Sequence, residues 1–132
     1  MRGIYVLLLK LKKPAAVKVG KIGVIDFKEG YYAYVGSALN GIEARIKRHL
    51  RKQKKIHWHI DYLLQEPAAK VERVYVLATK EHLECSAAQV LASAFTSIPR
   101  FGATDCKCPS HLFDVDPQKL DELLKKRGFR TF

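Results

Sequence analysis

No apolar segment of this chain is long enough to cross a bilayer, so a membrane-spanning helix is not expected. The N-terminal apolar run, Gly3 to Leu9, is short and meets Lys10, Lys12 and Lys13 almost at once. It has no small-residue cleavage site after it, which is not how a signal peptide reads. Cysteine is scarce and odd in number: three residues do not suggest the disulfide framework of a small secreted domain. A cytoplasmic location is therefore expected. Repeats and low-complexity linkers are also missing. Acidic residues are in short supply, 13 against 24 Lys and Arg, for a formal charge of +11. A charge of that size speaks of partners rather than fold. It favours a polyanion, nucleic acid ahead of a membrane surface, over a merely ion-rich exterior.

Apolar residues make up 48% of the 132, enough for one domain with a real core and too many for a disordered polyelectrolyte. The run "GIYVLLLKL" (3–11) reads as a strand, followed by "AVKV" and "IGVIDF" broken by Gly20 and Gly23. "KEG" then turns the chain into "YYAYV", a pattern that predicts a hairpin with Gly30 near its turn. In the returning strand Tyr32 and Tyr34 share one face, with Tyr31, Ala33 and Val35 on the other. Gly36 ends that strand. Asn40 is placed to cap a helix with Glu43 in capping-box position, and Ile42, Ile46 and Leu50 form its buried stripe. A short helix fits "WHIDYLLQ" and a further strand fits 71–78. A long helix fits 81–95, with Leu83, Ala87, Val90, Leu91 and Ala94 as its core face, and a last helix starts at Asp116 and Pro117. The expected fold is one α+β domain over 1–132. Its small antiparallel sheet has three to five strands, mixed pairing left open, and is flanked by helices.

Several residues invite chemistry. Arg45, His49 and Lys52 form a second stripe beside the apolar one, so tyrosines and cations face each other across Gly36. Arg48, Arg51, Lys54 and Lys55 add to a phosphate-binding surface. Glu84 has Ala87, Ala88, Leu91 and Phe95 at i+3, i+4, i+7 and i+11, an apolar setting in which a carboxylate is costly unless paired or holding a metal. "CKCPSH" puts Cys106, Cys108 and His111 close together, with His57 and His59 elsewhere. The C-x-C gap is tighter than zinc sites usually use, so zinc is not expected and the cysteines read as small buried hydrophobes. Trp58 could stack on a base and reads better as core. Taken singly, Tyr5 and Tyr34 also read as core aromatics.

The ordered set "GIY" (3–5), "YVG" (34–36), an arginine on the next helix and a glutamate on a later one resembles the GIY-YIG nuclease superfamily. The longer run through "KKIHWHIDYLL", "LEC" and "FGATDCKCPSHLF" is similar to a prokaryotic branch of it, some of whose relatives are fused to endonuclease III. That resemblance implies roles. Tyr5 would be the general base or water-positioning group, with Tyr34 as its hydrogen-bonding neighbour. Gly36 would let the backbone turn near the phosphate. Arg45 would neutralise the scissile phosphate, and His49 would stand where some family nucleases keep a histidine. Glu84 would hold one Mg²⁺ or Mn²⁺. The two tyrosine motifs stand further apart than in compact members, implying an extra strand or hairpin inserted at about 12–27. Gly102 stands where several family nucleases carry an asparagine, with Asp105, Ser110 and His111 as candidate substitutes. The expected function is a metal-dependent endonuclease acting on nucleic acid, DNA ahead of RNA, in repair or processing and in company with a repair enzyme. A binding module of the same fold without strong catalysis is the first alternative. A zinc-stabilised RNA-associated protein is the second.

Overall fold

The run of apolar residues in β1 (Gly3–Leu11) has no polar alternation because both faces of the strand are covered. In the computed structural model, which describes residues 1–52, 54–102, 108 and 110–132, Tyr5, Leu7, Leu9 and Leu11 point into one core. Ile4, Val6 and Leu8 point into a second core on the opposite face. Strand β1 pairs along its whole length with β4 (Gly30–Ala38) on one side and β5 (Ala69–Ala78) on the other. Shorter strands β6 (Thr96–Ser97), β7 (Leu112–Asp114) and β8 (Arg130–Thr131) complete an antiparallel sheet of six in the order β6-β7-β4-β1-β5-β8.

Helices α1 (Ile42–Leu50) and α2 (His59–Leu64) cover the Tyr5 face through Ile42, Ile46, Ile60, Leu63 and Leu64. Helices α3 (Glu84–Ala94) and α4 (Pro117–Lys126) cover the other through Ala88, Leu91, Leu120 and Leu124. Asp116 caps α4, accepting from the Gln118 and Lys119 N–H groups. The α+β class expected from the sequence is the one observed. Six strands exceed the three to five expected, because β6 and β8 at two residues each are too short to show a period.

Three local expectations are corrected. The strand after "KEG" does not pair with the one before it. Instead β2 (Ala15–Val19) and β3 (Gly23–Phe27) form a separate two-stranded sheet, and β4 returns to β1. This hairpin occupies the stretch, about 12–27, where the resemblance implied an insertion, and it packs on the α1/α2 side through Val17, Val19 and Phe27. The N-cap of α1 is Gly41, not Asn40, and Glu43 accepts from the Met1 ammonium instead of closing a capping box. Its buried stripe is Ile42, Ile46 and His49, while Leu50 is 54% exposed. A helix of 3.6 residues per turn carries the stripe to i+7 here and leaves i+8 at the rim.

Candidate functional site

Tyr5, Tyr34, Arg45 and Glu84 come from β1, β4, α1 and α3, and they line one cleft of about 350 Å³ together with Gly36, Ser37, Trp58, Gly102 and His111. The register explains half of this. Tyr5 stands opposite Gly36 in the β1/β4 ladder, and Tyr34 lies two residues back on the same face. Gly36 has an ordinary strand conformation within β4, so the expected backbone turn is absent there. Its role is spatial: a Cβ would overlap Cζ and Oη of the Tyr5 phenol. The glycine is needed because the tyrosine lies over it.

Tyr5 is 1% exposed, and its Oη shares a hydrogen bond of 2.7 Å with Nε2 of His49. The neighbour at that hydroxyl is therefore the histidine of α1, where the resemblance implied Tyr34. Burial pushes the Tyr5 phenol up to about 12, opposed by the Arg45 guanidinium, while the Glu84 charge adds to the rise. Burial also pushes Tyr34 well above the ordinary tyrosine value, and its ring packs against Phe101 and His49. His49 is 2% exposed and burial holds it down at about 4, so it is neutral at pH 7. Its Nδ1 is buried with no hydrogen-bond partner among the described residues.

Arg45 is held from two sides. Its Nη1 donates to the Ser37 carbonyl at 2.9 Å, and its guanidinium lies 4.4 Å from the centre of the Trp58 ring. Arg48 lies 4.5 Å from the same ring and makes a bidentate pair with Asp61 at 2.9 and 3.0 Å. Asp61 is fully buried and also accepts from the His57 and Trp58 N–H groups. Burial works against its charge, but Arg48 and those N–H donors outweigh it and hold the carboxyl below its ordinary value. Trp58 is thus half-buried at the edge of the core, with both arginines close to its ring.

Sequence reasoning missed Asp61 and the approach of both arginines to Trp58. The available signal was one acid inside the otherwise apolar "HIDYLL". Arg48 had been grouped with the surface cations. Lys52 donates to the Ala69 carbonyl and Lys54 to those of His49 and Arg51, while Arg51 and Lys55 are exposed.

Glu84 opens α3 rather than standing fourth in it, because the helix begins three residues later than the expected 81–95. A carboxylate in a first turn is favoured by the helix dipole, and its side chain is 33% exposed, so the expected cost of burial is relieved. Among the described residues lining the cleft it is the sole carboxylate. One carboxylate beside an open polar cleft fits Mg²⁺ or Mn²⁺, which keep several waters and complete their shell with substrate phosphate oxygens.

His111 also lines the cleft, its Nδ1 3.2 Å from the Val35 carbonyl and 3.7 Å from Oε1 of Glu84. Ser110 is spent locally, exchanging hydrogen bonds with the backbone of Leu112, and is removed as a site-closing candidate. Asp105 and Cys106 lie outside the described residues. Gly102 has a left-handed φ of +71°, its N–H donates to Nδ1 of His59, and a Cβ there would come within 3.2 Å of His111 and 3.3 Å of Tyr34.

Comparison with known proteins adds a family and nothing nearer. No curated protein and no solved structure matches the chain. No helix among the described residues is long and apolar enough to cross a membrane. The model of the family described as "Domain of unknown function DUF123" matches residues 4–130, and the chain belongs to that family.

Proposed function

We propose that the cleft binds a phosphodiester of nucleic acid and hydrolyses it with a divalent cation held at Glu84, as a GIY-YIG-like nuclease would. The observation that carries this reading is the convergence of Tyr5, Tyr34, Arg45 and Glu84, from four separate elements, on one polar cleft. Phosphodiester hydrolysis needs an oriented water, countercharge on the phosphate and a place for a proton, and these side chains supply each. The cation, when bound, would polarise the phosphate and lower the pKa of its water.

Arg45 is the phosphate's countercharge, aimed by the Ser37 carbonyl and the Trp58 ring. Tyr5 accepts a hydrogen bond from the attacking water, its phenol fixed by His49. With a pKa near 12, ionising Tyr5 at pH 7 costs about 7 kcal/mol. Added positive charge near Glu84 lowers that cost, because the Glu84 charge is one of its causes. Tyr34 walls the site and excludes water behind the phosphate. DNA is the preferred substrate over RNA, the setting is cytoplasmic, and a repair enzyme is the natural partner for such an activity.

Two observations favour a second reading, a binding module of weak catalysis. Both tyrosines are buried enough to resist ionisation, and Gly102 leaves no side chain where a site-closing asparagine would stand. The two readings separate in one experiment: branched, flapped, gapped and single-stranded DNA, and RNA, incubated with the protein in Mg²⁺ or Mn²⁺. Cleavage of any substrate, dependent on the metal, supports the nuclease. Tight binding without cleavage in either metal supports the module, and neither binding nor cleavage rejects both.

A further inference from the structure

Cys85 was not among the candidate ligands, yet the fold places it beside two residues that were. Its thiol, that of Cys108 and a ring nitrogen of His111 all lie within 4.8 Å of one another. These residues come from the first turn of α3, from the segment before β7 and from the residue that enters β7, so the cluster joins parts of the chain remote in sequence. Cys108 and His111 are buried at 7% and 2% exposure, and Cys85 is half-buried.

We propose that Cys85, Cys108 and His111 form a zinc site that anchors the start of α3, and with it Glu84, to the sheet. The donor set is the first reason. Two thiols and an imidazole are the mixture that zinc takes in tetrahedral sites, and the described residues supply three of the four donors. Geometry is the second. Zinc bonds of 2.0–2.3 Å at tetrahedral angles set ligand atoms roughly 3.5–3.8 Å apart, so atoms already within 4.8 Å of one another need to close by at most about 1.3 Å.

The third reason is the orientation of His111. Its Nδ1 is 3.2 Å from the Val35 carbonyl, which can only accept, so Nδ1 carries the proton and Nε2 holds the lone pair. The Glu84 carboxylate stands 3.7 Å from the same Nδ1. A ligand histidine backed by a carbonyl or carboxylate is how proteins fix the ring that faces a metal. The main chain of His111 is also pinned, its N–H donating to Phe101 and its carbonyl accepting from Val35.

Charge is the fourth reason. Binding exchanges two thiol protons for one Zn²⁺, so two thiolates, a neutral imidazole and the ion form a site of zero net charge, and two protons are released to solvent. A neutral assembly can be buried where separate thiolates could not. The inference does not rest on the nuclease reading, since an anchored α3 serves a binding module equally well.

Metal analysis of the full chain, purified under reducing conditions without chelator, tests it. Near one equivalent of zinc is expected, falling to roughly a tenth or less in Cys85→Ser and in Cys108→Ser. Because either variant could misfold, circular dichroism is run beside it. Wild-type protein stripped of metal is also titrated with Co²⁺, which is expected to give thiolate-to-cobalt charge-transfer absorption saturating at one equivalent. Absence of both zinc and cobalt uptake in folded wild-type protein overturns the proposal. So does zinc retained undiminished in folded Cys85→Ser, or a Cys85–Cys108 disulfide in place of metal.

Discussion

On the proposed reading the chemistry of the cleft turns on Tyr5, which is buried over Gly36 and tied to His49. Tyr5→Phe removes one hydroxyl and leaves Nε2 of His49 unpaired. It is expected to cost about 1 kcal/mol of stability in chemical unfolding and to lower any cleavage rate by about 10²–10⁴, measured in single turnover. With its pKa raised to about 12, the fraction of Tyr5 ready to accept a proton grows tenfold per pH unit. Cleavage is therefore expected to climb from pH 6 to 9 without levelling. A plateau below pH 7 would mean that another group is the base.

His49 titrates in the opposite range. Its folded value of about 4 lies below the ordinary 6.5, so between the two the unfolded chain binds a proton that the folded chain refuses. Stability is therefore at its fullest above pH 6.5 and is lost as pH falls towards 4, by at most about 3 kcal/mol. His59, also lowered by burial, adds a loss of the same sign. Unfolding midpoints of wild type and His49→Gln across this range check it, the variant being expected to show the shallower slope.

At the level of elements, α1 and α2 share a core through their apolar residues and are tied directly by Arg48 and Asp61. Removing Arg48 strands a fully buried carboxylate, and Arg48→Ala is expected to destabilise the fold by about 3 kcal/mol, read as a shift in urea midpoint. A simple phosphate contact would leave stability nearly unchanged on the same substitution. Strand β4 makes a second test. Gly36→Ala forces the Tyr5 ring to move and is expected to cost about 2 kcal/mol.

The elements also mark how far the sequence could be read. Apolar runs made β1, β4 and β5 legible and helical periods made α1, α3 and α4 so, and the tyrosine and arginine motifs on β1, β4 and α1 were legible with them. Strands of two residues have no period to read. The hairpin expected across "KEG" is absent, although "KEG" is a sound turn signal, because β4 pairs with the buried β1 instead. Trp58 and Asp61 acquire their roles only through contacts with α1, and Cys85 only through its approach to residues 108 and 111.

Across the whole molecule the charge of +11 is the broadest feature. The cations at 51, 52, 54 and 55 lie beyond the C-terminal end of α1, the helix that carries Arg45 into the cleft, and Arg51 and Lys55 are exposed. Binding is expected to tolerate sequence. If about four phosphates are neutralised, its log affinity falls with log salt at a slope of about −3 to −4 in a fluorescence-anisotropy titration. A salt-independent affinity would contradict the phosphate-dominated reading. The central claim, hydrolysis with a cation at Glu84, is tested most directly by Glu84→Gln, with cleavage and binding measured on one preparation and one substrate. The account predicts that cleavage in Mg²⁺ or Mn²⁺ disappears while affinity stays equal or rises, since a negative charge beside the phosphate has been removed. Cleavage that persists undiminished in this variant would contradict it.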